Sequence, residues 1–219
     1  MSTRGAIARQ TGPGRFSGVY HHWDSYPSGL GYTLYYAYRE VFGHSVERML
    51  KFLIDQHPAG WSTINGANWE GRVGYHKSLS GPCAVCGEPY GEHLEWPAGK
   101  GPGQGVSCVT QLRLGHLYQE DYSHVGPQCY CHGDRHEKPW EVTEKDAAGS
   151  GIEYVYVFDG STKMRILSSY SEGRKVIGMF GVGDPDSVWV EVAVVDLEGP
   201  EPDWKRLDEE ATRPLTTPN

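Results

Sequence analysis

The stretch 60–151 most constrains what this chain can fold into. It holds all five cysteines and many of the 29 glycines and 14 prolines, and no helical or strand-like apolar period runs through it. A structureless segment of that length inside a compact domain is rare. Something other than an apolar core has to organise it, and a bound metal is the simplest device. Five cysteines is an odd number, and the start MSTRGAIARQTG has no basic-then-apolar export pattern, so a disulfide framework is not expected. That leaves metal ligands or buried thiols.

The thiols are spaced for a metal. Cys83-Ala84-Val85-Cys86-Gly87 has the C-x-x-C-G form of a zinc knuckle, in which two thiolates chelate one ion from a tight turn. Cys129-Tyr130-Cys131-His132 supplies a second pair. The expected zinc ligands are therefore Cys83, Cys86, Cys129 and Cys131, with His93, Cys108, His132 and His136 as alternatives. Four protein ligands close the site and make it structural. A redox role fits less well, because a thioredoxin-like C-x-x-C follows a strand and opens a helix, and here Glu-Pro-Tyr-Gly follows. The glycine-rich segment 99–105 lacks the G-x-x-x-x-G-K-[ST] order of a phosphate loop and reads as a flexible connection.

The flanks are easier to read. Segments 4–10 and 18–23 are short apolar–polar runs on either side of the turn Thr11-Gly12-Pro13-Gly14, which predicts a hairpin. Leu30, Leu34, Ala37, Tyr38 and Val41 mark one helix face, and Gly43 ends it. Ser45 caps a second helix, whose apolar face is Val46, Met49, Leu50, Leu53 and Ile54 and whose end is Pro58. After Ile152, runs at 154–158, 164–169, 175–182 and 188–197 read as strands joined by short turns, hence antiparallel. The 154–158 run is apolar on both faces, so one face packs on the helices and the other on a second layer.

The expected fold is α+β: a mainly antiparallel sheet of four to six strands, two amphipathic helices on one face, and a zinc-stabilised insertion at 76–136. Residues 1–204 form a single domain, and 205–219 read as a flexible tail. A formal net charge of -8 and the absence of any Lys/Arg run exclude a phosphate-tracking surface. Around the knuckle, 81–96 holds Glu88, Glu92 and Glu95 and no cation, so no nucleic-acid partner is expected. No stretch reaches the ~18 apolar residues of a membrane span, and a cytoplasmic protein is expected.

The second chemical signal is His21-His22-Trp23-Asp24-Ser25-Tyr26-Pro27. On a strand, His22 and Asp24 project together, and a carboxylate beside an imidazole fixes its tautomer and raises its basicity. Arg4, Trp23, Tyr26 and Asn65 are the expected ligand-contacting residues around that pair. Asn65 comes from Trp61-Ser62-Thr63-Ile64-Asn65-Gly66-Ala67, which lines a pocket or forms a hydrogen-bonded turn.

These residues also carry a resemblance. Ser2-Thr3-Arg4, with His21 to Gly31 about twenty residues on, resembles a group of actinobacterial and bacteriophage proteins that open (S/G)-T-R and carry a Y-x-H-W-D-x-Y-P-x-G-L-G segment. The likeness covers about the first third of the chain and the 128–134 segment, and it implies a phage or mobile-element setting. A second likeness, of Ser2-Thr3-Arg4 and Trp23-Asp24, is to N-terminal-nucleophile hydrolases of the choloylglycine branch. It implies Ser2 as nucleophile, but serine stands for cysteine and the Trp-Asp order is reversed. Two function classes follow. One is an accessory protein that binds a small polar ligand or a protein partner through the His22/Asp24/Tyr26 surface. The other is a hydrolase using Ser2 or the His22/Asp24 pair.

Overall fold

The computed structural model describes residues 3–65, 127–131, 138–169 and 189–212. The N-terminal hairpin forms as expected, from β1 (Gly5–Gly12) and β2 (Arg15–His21). Ala8 stands opposite Gly18, and a Cβ on Gly18 would lie 2.0 Å from the Ile7 carbonyl oxygen. Glycine at that position is what lets the two strands meet.

From β2 the chain turns into two helical segments. The first, 27–41, has the α-helix α1 (Tyr32–Tyr36) between wider π turns at Pro27–Gly31 and Ala37–Val41. The second runs from α2 (Val46–Leu50) through a π turn at Lys51–Asp55. The Arg48 N–H donates to Ser45 Oγ at 3.2 Å, which is the expected cap. Leu30, Leu34, Ala37, Tyr38, Met49, Leu50 and Leu53 are buried against the sheet, and Gly43 ends the first segment at φ 57.

β3 (Trp61–Thr63) then lies beside β2 in parallel, with His21 opposite Trp61. The described chain continues with β4 (Gln128–Cys129), β5 (Val142–Thr143), α3 (Glu144–Gly149), β6 (Tyr154–Phe158), β7 (Lys163–Ser168), β8 (Val190–Asp196) and α4 (Trp204–Thr212). The sheet order is β4-β3-β2-β1-β6-β7-β8, with β5 on the free part of β2.

This architecture is α+β, with two corrections: the sheet is mixed rather than mainly antiparallel, and it has more than the expected four to six strands. β1 pairs with β6, and β2 with β3, in parallel. The reason is connection length. Short turns force antiparallel neighbours, as in β6–β7, but strands joined through helices or distant in sequence are free to align in parallel. The residues from 205 onward, expected as a tail, begin as α4. Its Arg206 N–H donates to Asp203 Oδ1 at 3.1 Å, and Trp204 and Ala211 are buried. The expected strand at 175–182 lies outside the described residues, as do 76–126 and 132–136 of the expected insertion; 128–129 belong to the sheet itself.

The two-sided burial of 154–158 is as expected. Tyr154, Tyr156 and Phe158 face the helices, whereas Val155 and Val157 pack with Ala6, Ala8, Phe16 and Ala147 of a second layer. α4 is tied to the first helical segment by Asp208, whose carboxylate accepts from the Ser28 N–H at 2.9 Å and from its hydroxyl at 2.5 Å. Those bonds serve donors that a helix start leaves unpaired. Among the described residues no helix is long and apolar enough to cross a membrane.

Two substitutions rank these constraints. Ser45→Ala removes one cap and is expected to cost about 1 kcal/mol. Gly18→Ala drives a methyl into the β1 backbone and is expected to cost about 3 kcal/mol or to abolish folding. Urea unfolding of both variants checks the order. A Gly18→Ala cost below that of Ser45→Ala would mean that the hairpin relaxes around the methyl.

Candidate functional site

The loop after β2 is held from several sides. Its backbone keeps pairing with β3, the His22 N–H donating to Trp61 O at 3.1 Å and the Trp23 N–H to Ser62 O at 3.2 Å. Asp24 then takes φ 52, a left-handed conformation that few non-glycine residues adopt. The Asn65 side-chain amide donates to the carbonyls of Trp23 at 2.9 Å and Asp24 at 3.0 Å. Asn65 Oδ1 is buried and has no hydrogen-bond partner among the described residues. The Ser25 N–H donates to Thr3 O at 3.0 Å, and the Tyr156 hydroxyl to Ser25 O at 2.8 Å.

The two histidines have different roles. His21 is fully buried, its Nε2 accepting from the Ile64 N–H at 3.2 Å and its Nδ1 lying 2.8 Å from Ser25 Oγ. Because Nε2 accepts, the proton of the neutral ring sits on Nδ1 and is donated to Ser25. Burial, with His22 adding, pushes this imidazole from 6.5 down to about 3. His22 is part-exposed, and its Nδ1 lies 2.7 Å from the Tyr20 hydroxyl. Burial, with Arg4 adding, also lowers His22.

β2 ends at His21, and Asp24, expected beside His22, sits in the left-handed turn that follows. Tyr20, two residues before His22 and therefore on its face, is the orienting group in this structure. Sequence reasoning missed it, although the i, i+2 spacing was there to read. The other expected residues surround the loop: Arg4 acts electrostatically on His22, Asn65 clamps the loop, and Tyr26 packs half-buried on the core. The Tyr26 hydroxyl is raised by burial and by the Asp24 and Asp208 carboxylates. Ser2 lies outside the described residues.

Around Tyr20 the surface is aromatic. Its ring stacks with Trp140 at 5.0 Å and Tyr130 at 6.4 Å, and His22 meets Trp23 edge-on at 4.6 Å. Trp23 is 47% exposed and Trp140 39%.

Directly behind Tyr130 lies a second cluster. The donor atoms of His57, Cys129 and Cys131 lie within 4.8 Å of one another, and all three residues are buried. His57 sits where the second helical segment ends, followed by Pro58 and by Gly60 at φ 82, whose N–H returns to His57 O at 2.9 Å. Its ring lies against Trp61 at 4.5 Å and Phe52 at 4.9 Å. The Cys131 sulfur accepts from the Ala59 N–H at 3.4 Å. Hydrogen bonding with Cys129, then with His57 and Ala59, outweighs burial and holds the Cys131 thiol well below its usual range. One imidazole and two thiols are soft to borderline donors of the kind that zinc takes. Of the expected metal ligands, the structure thus brings Cys129 and Cys131 together. Cys83, Cys86, His93, Cys108, His132 and His136 lie outside the described residues. His57 was missed because no spacing rule links a His-Pro at a helix end to thiols far along the chain.

The buried His21 makes stability depend on pH. The unfolded chain takes up its proton near pH 6.5, whereas the folded chain does so only near pH 3. The unfolded state therefore gains protons first. The His21 contribution is complete above pH 6.5 and falls on acidification by up to about 1.4 kcal/mol per pH unit. His21→Gln keeps a donor and an acceptor but does not titrate. Urea unfolding of this variant between about pH 7 and pH 5 is expected to show a shallower slope than wild type; an identical slope would mean that His21 is hydrated in the folded state.

No family model, no curated protein and no solved structure matches this chain.

Proposed function

We propose that this protein binds a small polar ligand or a protein partner through the aromatic surface around His22. One observation carries the reading. Of the three large hydrophobic residues exposed among the described residues, two, Trp23 and Trp140, lie on one row of ring contacts running through His22 and Tyr20. Exposed indoles grouped in this way mark contact surfaces, because they offer apolar area and a donor at small entropic cost. The surface is also rigid. Asn65 clamps the loop that carries Trp23, and a pre-set conformation lowers the ordering cost of binding. Asp24 keeps its left-handed backbone inside this clamp, and strain of that kind concentrates at functional loops.

The net charge of -8 favours a partner other than nucleic acid. The reduced, buried thiols of Cys129 and Cys131 suit a reducing compartment such as the cytoplasm. The likeness of the N-terminal segment to actinobacterial and bacteriophage proteins suits an accessory role in a mobile element.

Trp23→Ser and Trp140→Ser separate a contact role from a structural one. For recognition residues, each substitution is expected to change stability by less than about 0.5 kcal/mol in urea unfolding. Intrinsic fluorescence screens against sugars, amino acids, nucleosides and short peptides should find a saturable ligand for wild type, with affinity at least about tenfold weaker in either variant. Loss of several kcal/mol in both variants, or a ligand indifferent to both, would sink the reading.

A further inference from the structure

We propose that His57, Cys129 and Cys131 are three ligands of one zinc ion, bound at the edge of the sheet formed by β3 and β4.

The local geometry directs the donors to one point. Cys129 ends β4 and Cys131 lies in the bend just after it. The Tyr130 ring between them stacks on Tyr20. Both sulfurs lie beside His57, and the three donor atoms fall within 4.8 Å of one another. A tetrahedral zinc with Zn–S of about 2.3 Å and Zn–N of about 2.0 Å needs its donors roughly 3.5–3.8 Å apart, and the 4.8 Å limit on this cluster lies about 1 Å above that range.

The surroundings suit a soft-donor site. Phe52 and Trp61 pack on the His57 ring and keep that side dry, and the Ala59 N–H donates to the Cys131 sulfur, a bond typical of thiolate ligands. Among the described residues the cluster is one imidazole and two thiols with no carboxylate, a donor set that suits zinc better than magnesium or calcium.

The site also answers a structural need. β4 has two residues and β3 has three, too few to hold a sheet edge by backbone bonds alone. Asn65 and Pro127 are the described residues on either side of 66–126, so an ion joining His57 to Cys129 and Cys131 clips the two ends of that long segment together. Closing a long segment is where a metal clip stabilises most. The same clip fixes Tyr130, and through it the Tyr20 ring of the aromatic surface. Zinc is four-coordinate in such sites, and these residues fill three of the positions.

The test uses the full chain, purified without chelators. Elemental analysis should find about one zinc per chain. Competition against a chromogenic chelator should show zinc affinity falling at least about hundredfold in Cys129→Ser, Cys131→Ser and His57→Ala. Because those variants risk unfolding, cobalt substitution supplies a second reading. Wild type should show tetrahedral d–d bands with thiolate-to-cobalt charge transfer, and His57→Cys should keep the metal while increasing that charge-transfer intensity. The proposal is overturned if wild type carries no zinc and takes up no cobalt. It is equally overturned if folded Cys129→Ser or Cys131→Ser binds zinc undiminished, or if cobalt in His57→Cys gives an unchanged spectrum.

Discussion

The parallel pairing of β1 with β6 holds the rest of the structure together. It aligns Gly5 with Tyr154 and Arg9 with Phe158, joining the N-terminal hairpin to the C-terminal strands across most of the chain. Both strands are central, so both faces must be covered. Ala6 and Ala8 leave room on one face for the layer that includes Val155, Val157 and Ala147. Ile7 on the other face meets the large rings of Tyr156 and Phe158 and, beyond them, the helices. Everything that approaches the candidate site is carried on this frame: β2 beside β1, then β3 and β4 outward from it.

Position in that frame decides the chemistry of neighbouring residues. His21 and His22 are adjacent in sequence yet differ in burial. The buried one receives the Ile64 N–H and is kept neutral, and the part-exposed one is aimed by Tyr20. A one-residue slip in register would exchange these roles. Asn65 completes the arrangement from the far side of β3, binding two loop carbonyls that would otherwise need water. The loop is thus tied to the sheet beside it, and it presents Trp23 outward.

The His57–Cys129–Cys131 cluster and the aromatic surface meet at one short segment, 129–131. Tyr130 lies between the two cysteines, and its N–H donates to Gly60 O at 2.9 Å. Whatever holds the sulfurs in place also holds that ring against Tyr20. The edge of the sheet is thus where recognition and stabilisation meet. It is also where the backbone ladder is shortest and side-chain chemistry has most to contribute.

Local pattern in the sequence determined the elements whose signals are local. The hairpin at Thr11 to Gly14, the two helical segments with the Ser45 cap, and the strands at 154–158, 163–168 and 190–196 each follow from a turn residue or a period of 2 or 3.6 within one segment. The pairing potential of Cys129 and Cys131 was legible for the same reason, since their spacing of two residues is a local property. α4 was not legible in this way: the mostly polar run after Trp204 reads as a tail, and only the structure shows Asp203 accepting from the Arg206 N–H at its start. Only the tertiary structure decided the parallel alignment of β1 with β6, the burial of His21 rather than His22, the left-handed backbone at Asp24, and the arrival of His57 beside the cysteines. Each depends on which distant segment packs where, and a side chain's period says which face it is on but not what will cover that face.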